Sequence, residues 1–132
     1  MNAKALALQE RTHQFFTRVI RFCERLPLNR TTAGIGGHLW DSAGGADSSC
    51  RIACRARSPQ EFMAKIAAAA EEADESRGWL SALLSRDYGD SDETRMLIRE
   101  ACELTAIFTA SQARARRRVG EGSDRADPDE CF

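Results

Sequence analysis

Lysine and long apolar stretches are scarce in this 132-residue sequence, and the second scarcity argues against a membrane protein. Lysine occurs only at positions 4 and 65, so 17 of the 19 basic residues are arginines. No apolar stretch approaches the roughly 20 residues that span a bilayer, so we expect a soluble protein with no membrane partner. Polar residues at positions 9–11 interrupt the first apolar run, which argues against a secretory signal.

Cysteine is more plentiful, but its five copies are an odd number and no signal peptide is recognisable. Reduced thiols in a cytoplasmic protein are therefore predicted, with the buried ones packing as small apolar side chains. Cys50 and Cys54 lie one helical turn apart, but a zinc site needs two further ligands at suitable spacing. The sequence predicts no metal site and no cofactor.

Charge is unevenly distributed along the chain. The net charge is −1, yet residues 119–132 hold five acidic residues and one arginine, a local charge of −4. Residues 1–118 hold 18 basic and 15 acidic side chains and are mildly basic. A basic body with an acidic tail is compatible with nucleic-acid contact, although it is far below the basicity that would demand it.

The apolar residues recur at the spacing of amphipathic helices, and no segment has the alternation of a strand. Four helices are predicted, at about residues 4–26, 38–57, 59–86 and 91–119. The third has the clearest start, because Ser58, Pro59 and Glu61 form a capping box with proline at the first helical position. The second is expected to begin near residue 38, since glycines in the segment 34–37 disfavour a helix.

Four helices with short connections predict an all-α fold, an antiparallel up-and-down four-helix bundle that forms one domain over residues 1–119. Gly44 and Gly45 within the second helix would let a neighbouring helix approach closely. Residues 120–132 are acidic and are predicted to form a disordered tail.

Arginines form a stripe on the first helix. Arg11, Arg18, Arg21 and Arg25 fall within about 80° of one another at the helical repeat, and no acidic residue of that helix lies among them. Such a row suits a line of phosphates or a carboxylate row on a neighbouring subunit, because guanidinium groups form charge-assisted pairs with both. A solvated polar face is the third interpretation.

A second arginine cluster, Arg51, Arg55 and Arg57, lies at the end of the second helix. The acidic segment 71–75 on the third helix is its electrostatic complement, so ion pairs within or between subunits are the favoured interpretation. Nothing marks those carboxylates as catalytic, and no catalytic residue is predicted.

Glu10 and His13 have the spacing of a di-iron helix motif, but such a site needs a second pair and two more glutamates. The glycines at 34–37 lack the lysine of a phosphate-binding loop. A metal-dependent bundle enzyme is therefore a remote third hypothesis, which elemental analysis would decide.

Residues 38–80 resemble a family of small bacterial four-helix-bundle proteins known as 23S ribosomal RNA intervening-sequence proteins. The matching elements are His38-Leu39, Ser42-Ala43, Arg51-x-Ala53-Cys54-Arg55-Ala56-Arg57-Ser58, Phe62-x-Ala64-Lys65, Glu71-Glu72-Ala73-Asp74-Glu75 and Trp79-Leu80. The sequence departs from the family pattern at Gly44-Gly45, where a Thr/Ser pair is usual, and at Asp47–Cys50, where the family has small residues ending in Ala-Asn.

The resemblance implies an up-down bundle that assembles into a homopentameric ring and has no enzymatic activity. Some family members are encoded inside ribosomal RNA insertions. Related retroelement accessory variability proteins accompany reverse transcriptases and bind nucleic acid through basic surfaces. The implied partners are further copies of this chain, RNA or DNA, and a reverse transcriptase or ribosome-associated protein.

Together these observations predict a non-enzymatic oligomeric scaffold that binds RNA or DNA through arginines. The predicted contacts are Arg11, Arg18, Arg21, Arg25, Arg51, Arg55 and Arg57, with Arg114, Arg116, Arg117 and Arg118 as a second contact. The acidic tail would shield the basic surface when no nucleic acid is bound. The alternative is a protein–protein adaptor whose arginines pair with carboxylates and which binds no nucleic acid.

Overall fold

The computed structural model describes residues 3–122 and 131–132. These residues form four helices and no strands: α1 (Ala3–Glu24), α2 (Arg30–Ala53), α3 (Pro59–Ser85) and α4 (Ser91–Gly120). Each helix packs against the next, and α1 also meets α4. Neighbours run antiparallel, since Ser42 pairs with Ser76 while Ser49, further along α2, meets the earlier Glu72 of α3. The predicted all-α architecture of four packed helices is confirmed.

Local capping explains where the helices begin. Ser58 accepts a hydrogen bond from the backbone N–H of Glu61 with Pro59 at the first helical position, as the sequence predicts. Asp90 caps α4 in the same way by accepting from the N–H of Glu93. Such caps satisfy backbone donors that have no partner inside the helix, and each contributes about 1 kcal/mol.

The predicted loop at residues 34–37 is wrong, because α2 begins at Arg30 and continues through these glycines. A reciprocal capping box starts this helix: Asn29 accepts from the N–H of Thr32, whose hydroxyl accepts from the N–H of Asn29. Gly36 is buried against α1, where its carbonyl oxygen accepts from the Cys23 thiol. The cap and this packing offset the low helix propensity of the glycines.

The core runs the length of the bundle and is built from rings and aliphatic side chains. Phe15 and Phe22 of α1, Phe62 of α3 and Phe108 of α4 are each at most 2% exposed. Burying a side chain of this size contributes roughly 1.5–3 kcal/mol. Met96 of α4 is 54% exposed, whereas the neighbouring Leu97 takes the core position and is fully buried.

The seam between α1 and α4 is the most open of the four helix pairs. Near the start of α1 and the end of α4 it forms a groove of about 530 Å³ lined by Leu8, Ile107, Arg114 and Phe132 among others. Long side chains therefore bridge these two helices, whereas α2, α3 and α4 pack closely.

The disorder predicted for residues 120–132 stays a prediction, but the last two of these residues pack against the bundle. Cys131 is 4% exposed, and the ring of Phe132 lies 5.6 Å from that of Phe62. Residues 123–130, on which the rest of this prediction falls, lie outside the described part of the chain. None of the described helices is long and apolar enough to cross a membrane.

Candidate nucleic-acid interface

The α1 arginines face carboxylates of α4 within the same chain. Arg11 donates from Nε and Nη2 to the two oxygens of Glu100 at 2.8 and 2.6 Å, and its Nη2 also contacts Glu103 at 2.5 Å. The hydrogen bond from Arg11 lowers the pKa of Glu100, whose side chain is only 17% exposed. The same bond raises the pKa of Arg11, so both groups stay ionised.

Arg25 repeats this arrangement near the other end of the seam. Its Nη2 donates to both oxygens of Glu93, at 2.6 and 2.7 Å. Because Arg25 is 63% exposed, this pair contributes at most about 1 kcal/mol.

The stripe therefore splits into two kinds of residue. Arg11 and Arg25 are paired with carboxylates of α4, so a phosphate would have to displace a carboxylate from each, and their role as nucleic-acid contacts stays a prediction. Arg18 is half-buried close enough to Glu100 to lower its pKa further, after the larger effect of Arg11. Arg21 is exposed and makes no ion pair with any described residue.

The sequence carried a signal for this pairing that the helical wheel of α1 alone did not show. Arg11, Arg18 and Arg25 are seven residues apart, and Glu93 and Glu100 have the same spacing on α4. Residues at a seven-residue spacing lie on one helix face, so two such rows of opposite charge can meet across an antiparallel seam.

The second cluster does not pair internally with the acidic segment 71–75, so that part of the prediction is wrong. Arg51 contacts Asp47 one turn earlier on its own helix at 3.4 Å. Within the acidic segment, Glu72 accepts from the hydroxyl of Ser49 at 2.7 Å and Asp74 pairs with Arg77. Among the described residues, no ion pair joins the segment to Arg55 or Arg57.

Asp47 holds α1 and α2 together. Its carboxylate is nearly buried and contacts Nδ1 of His13 at 3.1 Å in addition to Arg51. Of the two residues of the Glu10/His13 motif, His13 therefore makes a contact between helices. Within the described ranges, no three His, Cys, Asp or Glu side chains are grouped so as to hold a metal ion.

Three of the five thiols, those of Cys50, Cys54 and Cys131, are buried as packing groups, whereas Cys102 is exposed. None of the five cysteines, all in the described part, forms a disulfide. The hydrogen bond with Cys54, together with burial, raises the pKa of Cys50, and burial raises that of Cys23 to about 11. A thiol held in its protonated form is a poor nucleophile and metal ligand.

The antiparallel topology gathers the remaining predicted arginines at one end of the bundle. The end of α2, the start of α3 and the end of α4 meet there, as the contact of Phe132 with Phe62 shows. We call this the basic end and define it by four exposed residues that form no ion pair with described residues: Arg55, Arg57, Arg116 and Arg117.

Arg114 and Arg118 complete the predicted set but differ from these four. Both are half-buried. Arg114 donates from Nε to the carbonyl oxygen of Cys131 at 2.7 Å and from Nη2 to the main-chain oxygen of Phe132 at 3.2 Å. Two clusters separated in sequence thus lie at the same end of the bundle, and one of their members is hydrogen-bonded to main-chain oxygens of its own chain.

Comparison with family models, with curated proteins and with solved structures finds no match to this chain. The resemblance of residues 38–80 to the intervening-sequence proteins therefore stays an expectation.

Proposed function

We propose that the protein is a non-enzymatic, oligomeric four-helix-bundle scaffold that binds the phosphate backbone of RNA or DNA at its basic end. The observation that carries the proposal is the placement of four exposed arginines from two separate helix ends at one end of the bundle, with no described carboxylate in an ion pair with their guanidinium groups. Within the described chain, the Glu61 carboxylate accepts only from the backbone N–H of Arg57, at 3.1 Å. Phosphate is the natural partner of these arginines, since a guanidinium group matches its geometry and charge with two parallel hydrogen bonds.

The arrangement favours backbone contact over base reading. The four arginines lie at helix ends rather than along one helix that could enter a groove, and neither tryptophan belongs to this group. Contacts to phosphate position a nucleic acid without reading its sequence. We therefore expect weak sequence preference and a strong dependence on salt.

Assembly would multiply this surface. The resemblance implies a homopentameric ring, in which each subunit would present its own basic end to one long nucleic acid. Linked sites raise the total affinity well above that of one site, because each later contact is intramolecular. If each chain contributes four phosphate contacts, we expect a plot of the logarithm of the binding constant against the logarithm of the salt concentration to have a slope of about −3 to −4 per chain.

The test measures fluorescence anisotropy of labelled RNA hairpin and DNA duplex across a salt series, on protein whose mass is set by light scattering. Arginine-to-glutamine changes at residues 55, 57, 116 and 117 are expected to abolish the salt-dependent binding. The matched control removes the same charge from four exposed arginines elsewhere: Arg30, Arg86, Arg95 and Arg99. The control should keep most of the affinity. Equal losses in both variants would overturn the proposed site.

A protein-adaptor function has its own supporting observation. Large apolar side chains are exposed at both ends of the bundle: Leu28 and Met96 at the end opposite the arginines, and Leu6 and Ile52 at the basic end, with Trp40 exposed on α2. Apolar side chains left in water suit a protein partner where they are grouped on one surface. An intact oligomer that binds neither nucleic acid at low salt would leave this function as the better account.

A further inference from the structure

The end of the chain folds back onto the basic end. Cys131 and Phe132, which we call the C-terminal pair, are the last two residues of the described chain. Their main-chain oxygens accept from Nε and Nη2 of Arg114. The guanidinium group thus donates two hydrogen bonds to backbone oxygens, as it would to two oxygens of a phosphate.

Apolar contacts hold the pair in this place. Phe132 lines the groove between α1 and α4, beside Leu8 and Ile107, and its ring packs at a tilt of 56° against Phe62. Cys131 is 4% exposed, whereas Cys102 on the outer face of α4 is exposed. The contact is therefore an anchored one, with burial on one side and a charged hydrogen-bond donor on the other.

The position of this contact has a consequence for binding. Arg114 lies within one turn of Arg116 and Arg117, two members of the basic end. While the C-terminal pair is docked, both of the donors that Arg114 turns toward it are used. A phosphate approaching the end of α4 would compete with the two main-chain oxygens for the same guanidinium group.

We propose that the docked C-terminal pair is an autoinhibitory contact that nucleic acid displaces from Arg114 and from the α1–α4 groove. This inference rests on the proposed function of the basic end. A nucleic acid that engages Arg114 in addition to the four arginines of the basic end must first undock the pair, so its affinity is reduced in proportion to the undocked fraction. Replacing a partly buried phenyl ring by a methyl group removes enough apolar contact to change that fraction about tenfold.

Two measurements test the proposal. The first is the rate of iodoacetamide labelling at each cysteine, read by mass spectrometry, with Cys102 as the exposed reference and Cys50 as the buried one. In the wild-type protein Cys131 should label slowly, and saturation with RNA hairpin should speed it at least severalfold while Cys50 stays protected. Phe132→Ala should label quickly at Cys131 without RNA, and Phe132→Leu should resemble the wild type.

The second measurement is the affinity of the same variants for the RNA hairpin. Phe132→Ala should bind about tenfold more tightly than the wild type, with Phe132→Leu unchanged. Neither variant alters the number of acidic residues, so a change in affinity reports the anchor rather than the charge of the tail.

The outcomes separate the two proposals. Slow labelling of Cys131 with saturating RNA bound would overturn the inference, as would Phe132→Ala that labels quickly but binds with unchanged affinity. Fast labelling of wild-type Cys131 without RNA would show that the pair is not docked. No RNA binding by wild type and Phe132→Ala alike would overturn the proposed function, and the competition with it.

Discussion

The contact between Gly45 of α2 and Glu72 of α3 allows a prediction whose size follows from the structure. A Cβ atom on Gly45 would overlap Oε2 of Glu72 and lie 2.6 Å from its Cδ. The carboxylate therefore rests directly on the α2 backbone, where it accepts from the Ser49 hydroxyl at 2.7 Å. Burial raises the pKa of Glu72, with the charges of Glu75 and Glu71 adding to the effect.

Gly45→Ala sets two effects against each other. Alanine is more favourable than glycine in a helix by about 1 kcal/mol. The new methyl group expels the carboxylate and breaks its bond to Ser49, which costs about 1–2 kcal/mol, offset in part because the carboxylate regains water. The single variant should therefore lie within about 1 kcal/mol of the wild type.

Removing the carboxylate first should leave only the effect of helix propensity on the free energy of unfolding. In a Glu72→Ala background, Gly45→Ala should stabilise the fold by about 1 kcal/mol. Urea unfolding of the four proteins of the cycle, followed by far-ultraviolet circular dichroism, gives the coupling free energy between the two sites. We expect about 1–2 kcal/mol of coupling, and a value near zero would refute the proposed overlap. Gly78→Ala, which meets no atom within 4 Å, is the uncoupled control.

The remaining predictions use the same unfolding assay. Arg11→Gln should destabilise the fold by about 1–2 kcal/mol, because it leaves Glu100 largely buried without its partner, whereas Arg21→Gln should cost under about 0.5 kcal/mol. The pKa of Glu100 is lowered on folding by its bond to Arg11. The difference in unfolding free energy between the wild type and Arg11→Gln should therefore shrink as pH falls below 4.5, the ordinary pKa of a glutamate, and Glu100 becomes protonated. The pKa of Glu72 is raised on folding, so its ionised form destabilises the folded state at neutral pH and its protonated form does not in acid. Glu72→Gln should therefore have a higher free energy of unfolding than the wild type at neutral pH, and this difference should vanish in acid. Gly37→Ala, with open space around it, should stabilise α2 by up to about 1 kcal/mol, and destabilisation would show that this helix face is covered in the assembled protein.

Local signals account for the parts of the fold that sequence predicted well. The start of α3 follows from Ser58, Pro59 and Glu61, whose capping bonds span only three residues. The start of α2 was missed although Asn29 and Thr32 carry an equivalent signal, because the three glycines at positions 34, 36 and 37 weigh against a helix in any count of propensity. Tertiary packing overrides such propensities, and one buried turn is enough to do so here.

Long-range pairings were missed for a different reason. The stripe on α1 was recognisable from its spacing, but its partners Glu93 and Glu100 lie about 70 to 90 residues away and depend on which helices are neighbours. The basic end likewise exists only because α2 and α4 finish at the same end of the bundle.

The sequence by itself determined the helices, most of their inward faces and the types of charge available, since these depend on contacts a few residues apart. Only the tertiary structure decided which arginines form ion pairs with carboxylates and which arginines remain exposed. It also decided that Arg114 donates hydrogen bonds to the main-chain oxygens of Cys131 and Phe132. The reason is that a guanidinium group pairs with whichever acceptor the fold brings within hydrogen-bond distance, and chain order does not reveal that acceptor.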